Sequence, residues 1–365
     1  MRTLFVPFFL LLIFATAAPA VYAVSVVDEP QVFNKCWEYQ VVPNLGVSSS
    51  ADAASVYFFD NENKLQGVDL LLGSKIWSSE LGGEVVSNLL LIGDSIFVVT
   101  NSQTDGADAL GKAVLRSVSR HTGITEWRAD ISTAPIVWLG SVSGNVIAVG
   151  SEGSISAFNR GQGKPVWKTD LASGVSSAPH FEAGGVELGT RKNEVIKISL
   201  TDGLFQVIWK SKYLPTAVLR DEEGRLLVGD ERGNLISVSQ DGSRLWRFKN
   251  GAQISSVSLH NAEYLAASHD NFVYKLSRSG NVIWKRRLSG RVIDRPLILG
   301  DTAIVSILGA GVVYALDLRN GKISNRIETG DEVSLRVAVA ANGQGFIIEG
   351  PRGLSFFSRN KCPAK

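Results

Sequence analysis

Gly163-Lys-Pro-Val-Trp167 is one copy of a five-residue phrase that returns along the chain. It recurs as Gly73-Ser-Lys-Ile-Trp77, Gly123-Ile-Thr-Glu-Trp127, Gly242-Ser-Arg-Leu-Trp246 and Gly280-Asn-Val-Ile-Trp284. Working outward, the series Trp37, Trp77, Trp127, Trp167, Trp209, Trp246 and Trp284 advances in steps of 40, 50, 40, 42, 37 and 38 residues. Only Trp138 stands outside it. The copy that starts at Gly203 carries two extra residues before Trp209, and Gly321-Lys-Ile-Ser-Asn325 has Asn in the tryptophan position. Eight units therefore tile the chain, with Trp37 marking the first and Asn325 the last. Such a period marks repeat architectures, in which each unit buries its apolar faces against its neighbours.

Each unit reads as four short strands. A small, β-rich segment such as Gly174-Val-Ser-Ser-Ala-Pro179 comes first, and a second follows, such as Asn145-Val-Ile-Ala-Val-Gly150. A third runs into a turn, as in Val312-Val-Tyr-Ala-Leu-Asp-Leu-Arg-Asn-Gly321, and the fourth carries the Trp. Apolar and polar residues alternate with period two, and Gly, Asn and Asp punctuate the ends. No 3.6-residue apolar period is present, which excludes a helical repeat. Four antiparallel strands per forty residues predict one blade of a β-propeller. The expected fold is all-β: eight four-stranded blades over residues 33–361. The seven tryptophans should pack between blades, each worth on the order of 3–5 kcal/mol against alanine.

The last unit supplies only three strands, over Val333–Ala340, Gly345–Glu349 and Leu354–Ser358. Phe33-Asn-Lys-Cys-Trp-Glu-Tyr-Gln40 is an orphan of the missing Trp-bearing type. It is predicted to complete the eighth blade, so that no sheet edge stays open at the seam. Cys36 and Cys362, the only two cysteines, would then be neighbours despite their separation in sequence. A disulfide between them suits an exported chain.

Export is expected from residues 1–23. Arg2 precedes an apolar run from Leu4 to Ala18, and Val21-Tyr22-Ala23 has the small residues of a cleavage site. Residues 24–32 then form a short extension and 362–365 a tail, and no membrane span is expected in the mature chain. No Asn-x-Ser/Thr occurs, which favours a bacterial envelope protein over a eukaryotic secreted one. The formal charge of +2 lacks the dense basic face that nucleic-acid binding needs. A monomer is expected.

The Gly-x-x-x-Trp unit after an Ala-Leu-Asp-like turn, clearest at Tyr314-Ala-Leu-Asp-Leu-Arg-Asn-Gly-Lys322, resembles the quinoprotein-type (PQQ-like) propeller repeat. The resemblance spans residues 33–361. WD40 repeats would show recurring Gly-His and Trp-Asp pairs, and kelch repeats would be longer with paired glycines. Within the family, length and blade number resemble the propeller subunits of the machinery that assembles β-barrels in the bacterial outer membrane. Arg287-Leu-Ser, Arg291-Val-Ile-Asp-Arg-Pro296 and Leu316-Asp-Leu-Arg-Asn-Gly321 carry this closer likeness. It implies a non-enzymatic protein-binding scaffold in the periplasm or at the outer-membrane periphery, whose partner is a barrel-assembly protein. Such subunits are typically lipoproteins, and this chain has no lipidation Cys near the cut. Family loops carry acidic residues where Arg291 and Ile293 stand, and an Arg where Lys210 stands.

Two other functions are alternatives to the scaffold. One is a cell-surface adaptor of unknown ligand. The other is a quinone-dependent oxidoreductase, which by family pattern would have an adjacent cysteine pair and a Glu/Asn/Asp calcium set in a longer chain. The sequence offers neither, so no cofactor and no catalytic residue are assigned. His121, His180, His260 and His269 are scattered without ligand spacing, so no metal site is assigned either. Asp60-Asn-Glu62 and Asp221-Glu-Glu-Gly224 lack the alternating oxygen pattern of a calcium loop and read as solvated turns. The candidate partner-binding residues lie after the Trp strands: Lys210, Tyr213 and Leu214 in one connection, and Arg286, Arg287, Arg291 and Arg295 along another. The second group is expected to form a positive rim patch, either guarding an edge or docking an acidic partner.

Overall fold

The computed structural model describes residues 33–101, 112–292, 294–330, 335–339, 343, 345–359 and 361–362. The expected leader at 1–23, the extension at 24–32, Val333, Ala340 and Ile293 lie outside the described residues. The described chain forms eight antiparallel sheets of four strands each, with no helix. This is an eight-bladed β-propeller. In blade 1 the strands are Ser50–Ala51, Ser55–Phe59, Lys64–Asp69 and Lys75–Glu80, paired in that order. The first strands of successive blades touch one another around the hub, and the Trp-bearing strand is outermost. The middle strands, rich in Val, Ile and Phe, are buried on both faces between neighbouring blades.

The repeated phrase now has a physical explanation. Four residues before Gly73, Gly163 and Gly321 stands an Asp or Asn whose side chain takes turn amides. Asn159 Oδ1 accepts from the N–H of Gly161 and of Gln162, both at 3.1 Å, and Gly163 N–H returns to the Asn159 carbonyl at 2.8 Å. Gly163 sits at φ +66°, which glycine adopts without strain. A Cβ there would lie 2.3 Å from the Trp127 ring of the preceding blade. The glycine of one unit is thus the floor on which the previous unit's tryptophan lies. The indole N–H then donates to a carbonyl of that same turn: Trp127 to Arg160 at 3.0 Å, Trp167 to Leu200 at 2.8 Å, Trp284 to Leu318 at 3.0 Å. Trp37, Trp77 and Trp246 bond in the same way to Leu70, Arg120 and Arg278.

Trp209 does not join this set. The two extra residues move the bulge along the strand, so Val207 takes the register before it and Trp209 pairs with Val195. Its indole N–H is buried without an acceptor among the described residues. Trp209 packs instead beside Val195, Val218 and Val228. Gly242, which should receive it, has nothing within 4 Å of where its Cβ would be. The junction of blades 4 and 5 therefore lacks the indole clasp that six other junctions have.

Blade 8 is closed from the amino end. Strand Asn34–Tyr39 pairs antiparallel with Gly353–Ser358, which continues to Gly345–Gly350 and Arg336–Val339. Cys36 and Cys362 are disulfide-bonded across 326 residues, with Cα atoms 5.1 Å apart. Asn325 of blade 7 occupies the register of the tryptophans, opposite Ala315 as Trp167 is opposite Ala157. Its Oδ1 accepts from Phe33 N–H at 3.1 Å, and its Nδ2 donates to the Phe33 carbonyl at 3.2 Å. An amide there grips the backbone that a tryptophan would displace, and so holds the entering strand.

Candidate functional site

The fourth strand of every blade runs outward-most, and the chain then returns to the hub to start the next blade. Because each blade has four antiparallel strands, all these returns lie on one face of the ring. The candidate residues fall on two such returns and on the hub.

Lys210 is exposed at the end of outer strand Phe205–Lys210 in blade 4. Tyr213 follows it, half-buried, with Lys212 Nζ 5.4 Å and Arg232 Cζ 5.9 Å from its ring centre. Leu214 is half-buried, and its carbonyl accepts from Glu231 N–H at 3.1 Å. Tyr213 and Leu214 thus follow Lys210 in the return, and an apolar stretch that sequence reasoning missed begins at the opposite end of the same strand. Leu204, Phe205 and Val207 are 70%, 47% and 43% exposed. The signal was present in the two-residue insertion, which turns this strand's apolar residues outward while leaving Lys210 as its only charge. The outer strands of blades 5 and 6, Arg244–Lys249 and Val282–Arg287, carry three cations each.

The arginine group does not form one patch. Arg286 is half-buried, and its Nε donates to the Gly321 carbonyl of blade 7 at 2.5 Å, so it ties two blades together. Arg287 and Arg291 are exposed, the first on the strand and the second in the return loop. The Arg291 charge adds to burial in holding His269 below its ordinary pKa. Arg295 departs from the expected rim altogether. It precedes the inner strand Leu297–Leu299 and lines the central cavity, because Pro296-Leu-Ile-Leu299 opens a hub strand.

The two acidic turns also differ from expectation. Asp60 is buried and accepts from Glu62 N–H, Lys64 N–H and Gln66 Nε2. Asp221 is buried and accepts from Arg225 Nε at 2.7 Å and from the Tyr264 hydroxyl at 2.6 Å. The leading carboxylates organise turns rather than face solvent. Asp221 is held below the usual carboxylate range: burial, the largest influence, pushes it up, and the bonds from Tyr264 and Arg225 together outweigh it. Among the described residues no cluster of three His, Cys, Asp or Glu could hold a metal ion. Among them also no helix is long and apolar enough to cross a membrane.

The fold and these rims define a ring-shaped propeller whose exposed features are loops and strand edges. The family profile for outer membrane protein assembly factor BamB matches residues 111–232 and 231–353, and the chain belongs to that PQQ-like family. A curated BamB from Yersinia pestis is 24% identical over 285 residues, 70% of this chain and 69% of its own length. The crystal structure of BamB from Moraxella catarrhalis superposes with a TM-score of 0.67 at 15% identity, covering 91% of this chain and 99% of its own. The fold alone does not separate families. A computationally designed protein, Ika8, gives 0.69 at 13% identity over 89% of this chain and 98% of its own. The C-terminal WD40 domain of Sif2 gives 0.71 at 12% identity over 90% and 99%.

Proposed function

We propose that this chain is a non-enzymatic scaffold of the cell envelope that assists assembly of outer-membrane β-barrel proteins by docking an assembly partner on blade 4. The observation that carries the proposal is the family match over 111–232 and 231–353, whose description is outer membrane protein assembly factor BamB. The outer strand of blade 4 supports this choice of surface. Leu204, Phe205 and Val207 present apolar area, Lys210 adds one cation, and the Tyr213-Leu214 connection flanks them. An outer strand with free backbone groups can accept a partner strand, and apolar side chains beside it supply the burial. Residues 1–23 would direct export, placing the ring in the periplasm or at the outer-membrane periphery.

The test is photo-crosslinking in the native envelope from a reactive residue at position 213, with Val207→Asp and Lys210→Glu as competitors of the surface. Recovery of a barrel-assembly protein, lost in the double variant while the melting temperature is kept, supports the proposal. Recovery of a cytochrome, or of the same partner with the double variant, would reject it.

A further inference from the structure

The hub holds an arginine, Arg295, with no ion-pair partner among the described residues. Arg295 lines a cavity of about 520 Å³ walled by blades 1, 2, 7 and 8, with Ser48, Leu91, Ser306 and Val337 around it. Among the described residues no carboxylate lies within ion-pair distance of its guanidinium, and no hydrogen-bond acceptor meets it. The channel water reaches Arg295, yet the surrounding protein removes enough solvent to push its pKa down.

The nearby carboxylates are already engaged. Asp294 is paired with Arg336 at 3.1 Å. Glu187 is held by Arg220 at 2.7 Å, and Glu182 by Lys197 at 3.2 Å. Glu349, behind Ser49, is pushed up to about 7 by complete burial, against the bonds from Ser49 and the Arg336 charge. The imidazole of His180, on the inner strand His180–Glu182 of blade 4, has no hydrogen-bond partner among the described residues. Burial, the largest influence, lowers its pKa; the Glu182 and Glu187 charges oppose this, and the Arg295 charge adds to the lowering. With Asp294 paired to Arg336, Glu182 to Lys197 and Glu187 to Arg220, Arg295 has no ion-pair partner of its own among the described residues.

We propose that the hub is a binding site for a carboxylate group, anchored by Arg295, with Ser48 and Ser306 on the cavity wall. A planar guanidinium matches a carboxylate through two parallel hydrogen bonds. A monoanionic group on Arg295 meets less repulsion from Asp294 and Glu349 than a phosphate dianion would. The volume falls within the span of small-ligand sites. The group can belong to a free small acid or to an acidic side chain of an inserted protein segment, and the experiment separates the two.

Mature protein is titrated at constant ionic strength with succinate and with the peptide acetyl-Gly-Asp-Gly-amide, with sulfate and chloride as controls. Melting temperature and the His180 imidazole resonance are followed. A ligand that binds only the folded state raises the melting temperature with concentration. Both carboxylate probes should do so more than sulfate and should shift the His180 signal. The response should vanish in Arg295→Gln, weaken about tenfold in Arg295→Lys through loss of the bidentate geometry, and persist in Arg287→Gln. Unliganded Arg295→Gln should melt no lower than the wild type, since no native bond is lost. A response to the peptide alone assigns the site to a protein segment, and one to succinate alone assigns it to a free acid. No response at tens of millimolar, or an unchanged response in Arg295→Gln, overturns the proposal. Val207→Asp should bind succinate normally, which keeps this test separate from partner docking on blade 4.

Discussion

Replacing Trp167 and Trp209 separately by phenylalanine should give different results, although the sequence places both in one series. Trp167 is 8% exposed, lies on Gly203 and donates to the Leu200 carbonyl at 2.8 Å. Trp167→Phe removes a bond worth about 0.5–1.5 kcal/mol and leaves a partly buried carbonyl short of its donor, about 2 kcal/mol together. Trp209→Phe removes a buried N–H that has no acceptor, which relieves about 1–3 kcal/mol of desolvation and offsets the lost ring area. It should therefore change stability by less than about 0.5 kcal/mol, or raise it. Unfolding entropy of ~2.1 cal/mol/K per residue over the ~330 residues of the ring gives ~0.7 kcal/mol/K. Trp167→Phe should thus lower the melting temperature by about 3 °C, with Trp209→Phe within about 1 °C of the wild type. Differential scanning calorimetry at one scan rate reads both. Equal losses would refute the assignment of the indole clasp to six of the seven tryptophans.

Asn325→Ala should strip Phe33 of both backbone partners and destabilise the ring by about 2–4 kcal/mol, seen as faster proteolysis near the amino end. Glu349 is raised in the folded ring to about 7 from an ordinary 4.5, so its contribution is fully present below pH 4.5 and is lost as pH rises through 7. Glu349→Gln should therefore stabilise at pH 8 by about 3 kcal/mol at most and be neutral near pH 4, read as the pH dependence of the urea midpoint. Arg287→Glu with Arg291→Glu should leave the melting temperature within about 1 °C, because both are exposed. Arg286→Glu should lower it, because that side chain holds the Gly321 carbonyl.

The propeller was legible because the glycine and tryptophan that join two blades sit in one local phrase, repeated at a fixed period. The closure was legible by counting, since the last unit lacked a strand that Phe33–Gln40 could supply. The Asn325 clasp was not, because its partner Phe33 lies 292 residues away and the register alone reveals it. Trp209 showed its anomaly as an insertion, but its consequence depends on where the bulge settles. The rim candidates were read from strand order, which put Lys210 and Tyr213 in one return. It misjudged Arg295, whose place follows from the hub strand that Pro296 opens. The acidic turns misled because composition does not show that Asp60 and Asp221 turn inward to cap backbone amides.

Everything that positions the rims and the hub depends on the amino-terminal strand completing the eighth blade. Disulfide mapping of the unreduced protein by mass spectrometry tests this most directly. One linked pair of peptides carrying Cys36 and Cys362 is predicted, with no alkylation before reduction. Full labelling of both thiols in the native, unreduced protein would contradict the closed ring.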